Sequence, residues 1–257
     1  MDEDGPPESA FKFHFLPDAK YNSCGSPSVQ PLLEKWGFGP DMVMCTFRVE
    51  QQVGPDGFQD LIEAFFRDKE VLSVLHHMTQ MRVFSPQKVT ARFEKLSTKV
   101  VSMSFFNKLE ECGAVAPSGH IRGRLEEEWE GVPIVNLIRE AMIMDESELY
   151  DTFSEQDRRE LLFRIMQHLI FGGASNQYED HVEDYFKATK EVYKDLLTVR
   201  RSDTGDVEVV SSVASMRSLG EGGLLFPKDS LLNFCYVIHD PIMRHLKVWY
   251  FGYRPLW

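Results

Sequence analysis

The chain has 257 residues, 43% of them hydrophobic and 26% charged, a composition that allows one large globular core or two small ones. Its net charge of −12 shows no basic stripe, which argues against nucleic-acid binding, and no apolar run approaches the ~20 residues that a membrane-spanning helix needs. The acidic opening at Asp2, Glu3 and Asp4 is the opposite of a secretory signal, so a cytoplasmic protein is expected.

Residues 1–10, acidic and rich in proline, read as a disordered tail; 11–257 read as a single α+β domain whose weakest joint lies near 95–99. Phe11, Phe13 and Phe15 alternate with Lys12 and His14 as in a strand, which Pro17 stops. A loop over 18–28 precedes a short helix over 29–36, closed by Gly37. Residues 42–50 form a strand with Val43, Cys45, Phe47 and Val49 on one face. Gly54 and Gly57 mark a turn, and the apolar spacing over 58–75 predicts one helix. Two short strands, 81–84 and 89–93, flank Pro86.

In the middle, Val101, Phe105, Leu109 and Cys112 share a helical face over 100–112, which Gly113 closes. A loop over 117–123 carries His120, and helices are predicted over 134–142 and 145–153. The strongest helical signal runs from 154 to 201. Ser154 and Asp157 form a capping signal, the stripe Leu161, Leu162, Ile165, Leu169 and Ile170 follows, and Gly172 and Gly173 end the helix. A second helix begins near Glu179 and Asp180 and runs to Arg201. Both have wide apolar faces, so they bury surface against each other and against a third layer.

After a turn at 202–206, Val207, Val209, Ser211 and Val213 alternate as a strand, and the glycines at 220–223 read as flexible. Residues 234–239 and 246–251 are strands joined by a turn at Asp240 and Pro241; the second is apolar on both faces and so belongs inside a sheet. Strands at both ends around a helical middle predict an α+β fold with a mixed or antiparallel sheet built from N- and C-terminal strands.

Sequence signatures of catalysis are mostly absent. The sequence contains no GxxxxGK[ST] loop, no GxSxG elbow and no HExxH, and the glycines at 220–223 do not lie between a strand and a helix. Cys24, Cys45, Cys112 and Cys235 are scattered; Cys235 and His239, four apart on a strand, sit about 13 Å from each other, too far to share a metal. The cysteines read as buried free thiols of a reducing compartment. A metal-dependent enzyme would have to use His120, His239, Asp240 and His245, but His239 and Asp240 are adjacent and point to opposite strand faces. Asp240 instead suits a cap on the turn at Pro241, and His168 a satisfied core histidine. No catalytic residue, cofactor or metal is therefore expected. The candidate partner-binding residues are Glu126, Glu127, Glu128 and Trp129, an aromatic inside an acidic run that suits a basic partner, and the aromatic tail with Tyr253 and Trp257.

Several segments carry a resemblance: VSMSFFNKL (101–109), SGH (118–120), FSEQDRRELLFRIMQHLIFGGASNQYED (153–180), YKDLLTVR (193–200) and DPIMRHLKVWY (240–250), with FHFLP (13–17) and EAFFRDKEV (63–71) as weaker echoes. They resemble the cilia- and flagella-associated protein 300 family over about residues 100–250. The resemblance implies a cytoplasmic factor for assembly of axonemal dynein arms, linked to intraflagellar transport. It implies partners among other assembly factors, notably a Kintoun-type protein with a PIH domain, and axonemal dynein chains. It carries no catalytic residues. The remaining readings are an enzyme with an unfamiliar metal site and a permanent axonemal subunit.

Overall fold

A computed structural model describes residues 11–54, 56–201, 205 and 207–254. The expectations for the tail at 1–10, for most of the turn at 202–206 and for Trp257 lie outside the described residues. In chain order the elements are β1 (Phe13–Phe15), α1 (Asn22–Gly25), α2 (Gln30–Lys35), β2 (Met42–Val49), α3 (Phe58–Phe65), α4 (Lys69–Met78), β3 (Arg82–Val83) and β4 (Arg92–Leu96). Then come α5 (Lys108–Glu111), β5 (Gly123–Trp129), β6 (Val132–Asn136), α6 (Leu137–Ile143), α7 (Glu155–Arg158), α8 (Leu161–Phe171) and α9 (Glu183–Leu196). The last third holds β7 (Val199–Arg201), β8 (Val207–Val209), β9 (Ser212–Ser218), β10 (Gly223–Leu224), β11 (Phe234–Asp240) and β12 (His245–Phe251).

One six-stranded antiparallel sheet, in the order β1-β2-β12-β11-β9-β4, joins the two ends of the chain. β12 lies between β2 and β11, with Phe251 opposite Met42 on one side and Phe234 on the other, so the interior position read from its two apolar faces holds. Strand pleat sorts the side chains into two cores. Val43, Cys45, Phe47 and Val49 of β2 pack with Val248 and Tyr250 against α3 and α4. Met42, Met44, Phe234, Tyr236, Ile238, Trp249 and Phe251 face the opposite layer of α2, α6, α8 and α9. This is the α+β architecture expected from the strand–helix–strand order, with the sheet as the third layer against which α8 and α9 are buried.

Local partners cut the predicted helices shorter. The single helix expected over 58–75 is two: Asp68 leaves helical geometry (φ −73°, ψ 133°) and its carboxylate accepts from Val71 N at 3.0 Å, starting α4 afresh. The Ser154–Asp157 capping box is present, but it serves α7 only. The chain then breaks at Arg159–Glu160, where Ser97 inserts: Ser97 N donates to Arg159 O and Leu161 N donates to Ser97 O, each at 2.9 Å. The second long helix starts at Glu183, not at 179–180, because Ile121 N bonds Asp180 O and Val182 N bonds Gly119 O, drawing 180–182 into an extended pairing. It ends at Leu196, and Val199–Arg201 forms a ribbon with β8 rather than helix.

Other boundaries shift for similar reasons. The helix expected over 100–112 is a 3-10 segment, Met103–Asn107, followed by the single turn of α5. The apolar start of 134–142 is strand: Val132, Ile134 and Asn136 alternate inward, and the Asn136 side chain accepts from Arg139 N at 3.0 Å to open α6. β4 lies at Arg92–Leu96, slightly later than expected, and the glycines at 220–223 form a 3-10 turn and a short pairing of β10 with β3. The strand expected over 207–213 divides into β8 and β9, with Val210 N bonded to Thr198 O between them. Gly172 ends α8 at φ 59°, ψ −155°: the positive φ calls for glycine, as expected of a helix stop, but the ψ departs from the left-handed helical geometry that was expected.

Candidate functional site

A cavity of about 580 Å³ lies between α8, the β4–β9–β11 side of the sheet, the loop before β11 and the tip of the β5–β6 hairpin. Its floor is aromatic and hydroxylic. His168 Nε2 lies 2.6 Å from the Tyr236 hydroxyl, and Ser215 is the cross-strand neighbour of Tyr236 on β9. Burial pushes the Tyr236 pKa up to about 12. Burial, then the positive charges of Arg164 and Arg217, hold His168 well below its ordinary value. Both floor groups are therefore neutral near pH 7, and His168 is the satisfied core histidine that its place on the helix suggested.

Charge enters from the walls. Arg217 Nη2 donates to Glu94 Oε2 at 2.6 Å, and Arg159 Nε lies 3.4 Å from Glu94 Oε1. Arg164 donates to the neutral Gln167 Oε1 at 3.3 Å. Arg158, also in the lining, is engaged elsewhere: it is 5% exposed and donates to the carbonyls of Ala141, Met142, Tyr150 and Phe153. Burial lowers its pKa, and its guanidinium stacks on Tyr150 at 3.4 Å from the ring centroid.

The sequence-derived candidates separate in space. Glu130 and Gly131, at φ 48° and 80°, turn the β5–β6 hairpin, and Trp129 pairs with Val132. Val132 and Ile134 face the core, so Trp129 and Glu127, their cross-strand neighbours, face the body, while Glu126 and Glu128 face solvent. Trp129 is partly buried and lines the cavity mouth; Glu127 is exposed and pairs with Arg124 at 2.6 Å. Leu125, which the sequence reading passed over, is 91% exposed on the same strand. Tyr253 sits on the other side of the 226–233 loop, its N–H donating to Asn233 Oδ1 at 2.8 Å, and lines a separate groove with Gln80 and Arg82.

Of the four residues of the metal-enzyme reading, Asp240 and His245 are cross-strand partners where β11 meets β12, while the other two lie apart from them or face away. Asp240 Oδ1 accepts from Ile242 N and Met243 N at 2.9 and 3.0 Å, the turn-capping role expected of it, and Oδ2 accepts from the Thr198 hydroxyl. His239 packs beside Phe58 on the α3 side. His120 instead meets His181, ring centroids 5.5 Å apart, at the start of α9. His245 lies near the far end of that helix, where the neighbouring Lys247 donates to Asp195 O; the helix alone spans about 20 Å. Among the described residues, no group of three or more His, Cys, Asp or Glu side chains is arranged to hold a metal ion. Burial pushes the thiols of Cys45 and Cys235 far above their ordinary range, and all four cysteines are free.

Sequence reasoning did not find Glu94, Arg159, Arg164 or Arg217. They come from β4, the α7–α8 break, α8 and β9, and no spacing rule connects them.

Comparison with known proteins gives the chain its relatives. A protein in Chlamydomonas reinhardtii described as cilia- and flagella-associated protein 300 is 32% identical over 240 residues, covering 89% of this chain and 93% of its own length. One of the same description in Paramecium tetraurelia is 30% identical over 228 residues, covering 85% and 88%. No solved structure matches the chain. The family model described as cilia- and flagella-associated protein 300 matches residues 10–251, and the chain belongs to that family, whose members are associated with cilia and flagella.

Proposed function

We propose that this protein is a non-catalytic cytoplasmic factor for the assembly and transport of axonemal dynein arms, working by protein–protein binding. The observation that carries the reading is membership of a cilia- and flagella-associated family over nearly the whole described chain. The partners proposed are other assembly factors, in particular a Kintoun-type protein with a PIH domain, and axonemal dynein chains. Two structural features support binding over catalysis. The histidines of the competing metal-enzyme reading are spread over both ends of α9, and Asp240 is occupied by its own turn. The solvent face of β5 offers Glu126 and Glu128, both exposed and with carboxylates in no ion pair among the described residues, in a chain of net charge −12 that suits basic partner surfaces.

The test mixes the purified full chain with a purified Kintoun-type PIH protein at low and moderate salt. A complex is expected that weakens as salt rises and weakens further when Glu126→Lys and Glu128→Lys are combined, with the melting temperature unchanged. Absence of a complex at low salt would remove that partner. A stoichiometric transition metal in the purified protein would replace this reading with the enzymatic one. Retention on axonemes through the salt wash that extracts soluble factors would replace it with a stable subunit.

A further inference from the structure

The chain contains two serines followed by proline, Ser26–Pro27 and Ser85–Pro86, and no threonine so followed. The fold treats them differently. Ser26 is engaged: its side-chain oxygen accepts from Ser28 N at 3.2 Å and shares a hydrogen bond with the Ser28 hydroxyl at 2.9 Å, and its carbonyl accepts from Val29 N and Gln30 N. The third residue after it, Val29, is fully buried. Ser85 opens the short 3-10 turn Pro86–Lys88 between β3 and β4, in an extended conformation (φ −139°, ψ 91°), and its hydroxyl makes no capping bond. A following proline favours that conformation. The third residue after Ser85 is Lys88, exposed and in no ion pair among the described residues. Phe84, just before it, is 63% exposed, so both flanks of Ser85 reach solvent.

Ser85, Pro86, Gln87 and Lys88 together offer what one class of enzyme recognises: a free hydroxyl on extended backbone, a proline next, and a cation three residues on. A pocket with no acceptor for a backbone N–H takes proline without loss, because proline has no N–H, and penalises every other residue. An ammonium three residues on can pair with a phosphothreonine that orders the enzyme's own activation segment. We propose that Ser85 is a phosphorylation site for a proline-directed serine kinase that also selects a basic residue at the third following position. Ser85 Oγ attacks the γ-phosphorus of ATP. The new O–P bond forms as the bond from that phosphorus to the bridging oxygen breaks, ADP leaves, and the hydroxyl proton passes to the kinase's catalytic carboxylate. Binding to the kinase in extended form opens the two backbone bonds of the turn, Lys88 N to Ser85 O at 2.9 Å and Val89 N to Pro86 O at 3.2 Å. A single 3-10 turn has poor hydrogen-bond geometry and yields readily. Phosphorylation adds ~1.5–2 negative charges to this loop at pH 7. The proposal rests on this loop alone and does not depend on the dynein-arm reading.

The test incubates the folded full chain with ATP and a purified cyclin-dependent kinase, an enzyme with both preferences, beside a reference peptide of residues 80–92. Intact mass and peptide mapping count and locate the phosphate. One phosphate at Ser85 is expected in the chain and in the peptide. Ser26 is expected to react at least about tenfold more slowly, since its oxygen is engaged and no cation follows it. Lys88→Ala is expected to slow modification of Ser85 by about tenfold through loss of a charge-assisted contact, with the melting temperature unchanged because the side chain is exposed. Ser85→Ala should remove the phosphate. The proposal is overturned if the peptide is modified and the folded chain is not, or if neither is. It is also overturned if Ser26 reacts as fast as Ser85, or if Lys88→Ala leaves the rate as it was.

Discussion

Arg158→Met is the substitution whose consequence the structure fixes most tightly. The Arg158 guanidinium donates to Phe153 O at 3.2 Å, Met142 O at 2.9 Å, Ala141 O at 2.9 Å and Tyr150 O at 2.6 Å. Ala141 and Met142 lie in the last turn of α6, so the side chain ties off that helix end and fastens it to α7. Methionine keeps most of the volume and the contact with Tyr150 and Phe163 but donates nothing. Gln167 Nε2 still serves Met142 O and Phe153 N still serves Tyr150 O, so two carbonyls, those of Ala141 and Phe153, lose their donor. At ~1–1.5 kcal/mol for each such bond, the variant should lose about 2–3 kcal/mol. For a chain of this length that corresponds to a melting temperature lower by roughly 8 °C. Urea unfolding gives the free energy directly, with an unchanged slope as the sign that two-state behaviour persists. Arg158→Lys, with one three-donor nitrogen, should fall between. A loss below about 1 kcal/mol in the methionine variant would mean that these carbonyls find water or other donors, and the capping argument would fail.

Two further outcomes follow from backbone contact and from burial. A Cβ at Gly173 would strike the carbonyl of Gly37, and one at Gly172 would strike the carbonyl of Trp36 at φ 59°; alanine at either should cost at least ~1–2 kcal/mol in urea unfolding. An unchanged midpoint for Gly173→Ala would show that the 36–37 loop does not hold the α8 terminus as described. His168 is neutral in the folded chain at pH values where the unfolded chain, near its ordinary 6.5, begins to take up a proton. Its contribution to stability is therefore complete above about pH 6.5 and is lost as pH falls below it, at up to ~1.4 kcal/mol per pH unit. His239 and His245 are shifted the same way by burial, so the parent profile is compared with that of His168→Gln, which should be shallower between about pH 6.5 and 5. Parallel profiles would remove His168 from the acid response.

What was legible in the sequence is what short-range physics decides. β2 shows one of its two buried faces in its alternation and β12 shows both, α8 shows its stripe and its glycine stop, and Ser154 with Asp157 announces a capping box that is present. Asp240 before Pro241 announces its turn equally well. What was not legible is decided by residues far away in the chain. Nothing near 159–160 says that Ser97 will wedge between two helical segments, and nothing near 179–182 says that the 119–121 loop will hold it extended. β5 is harder still. Its run of glutamates has poor strand propensity, and only pairing with the apolar β6 and the positive-φ turn at Glu130–Gly131 makes it a strand.

The same distinction governs the cavity, and it links the site to the order in which the molecule can close. Arg217 reaches Glu94 across 123 residues, through the pairing of β9 with β4. Arg159 reaches the same carboxylate only because Ser97, one residue beyond β4, breaks the helix that would otherwise turn it elsewhere. The sheet that carries β4 and β9 is itself completed by pairing β12, near one end of the chain, with β2, near the other. The ion-pair cluster at Glu94 is therefore a property of the finished sheet and of no fragment of the sequence. A partly folded chain would hold the same arginines dispersed in water, where each exposed ion pair is worth at most ~1 kcal/mol.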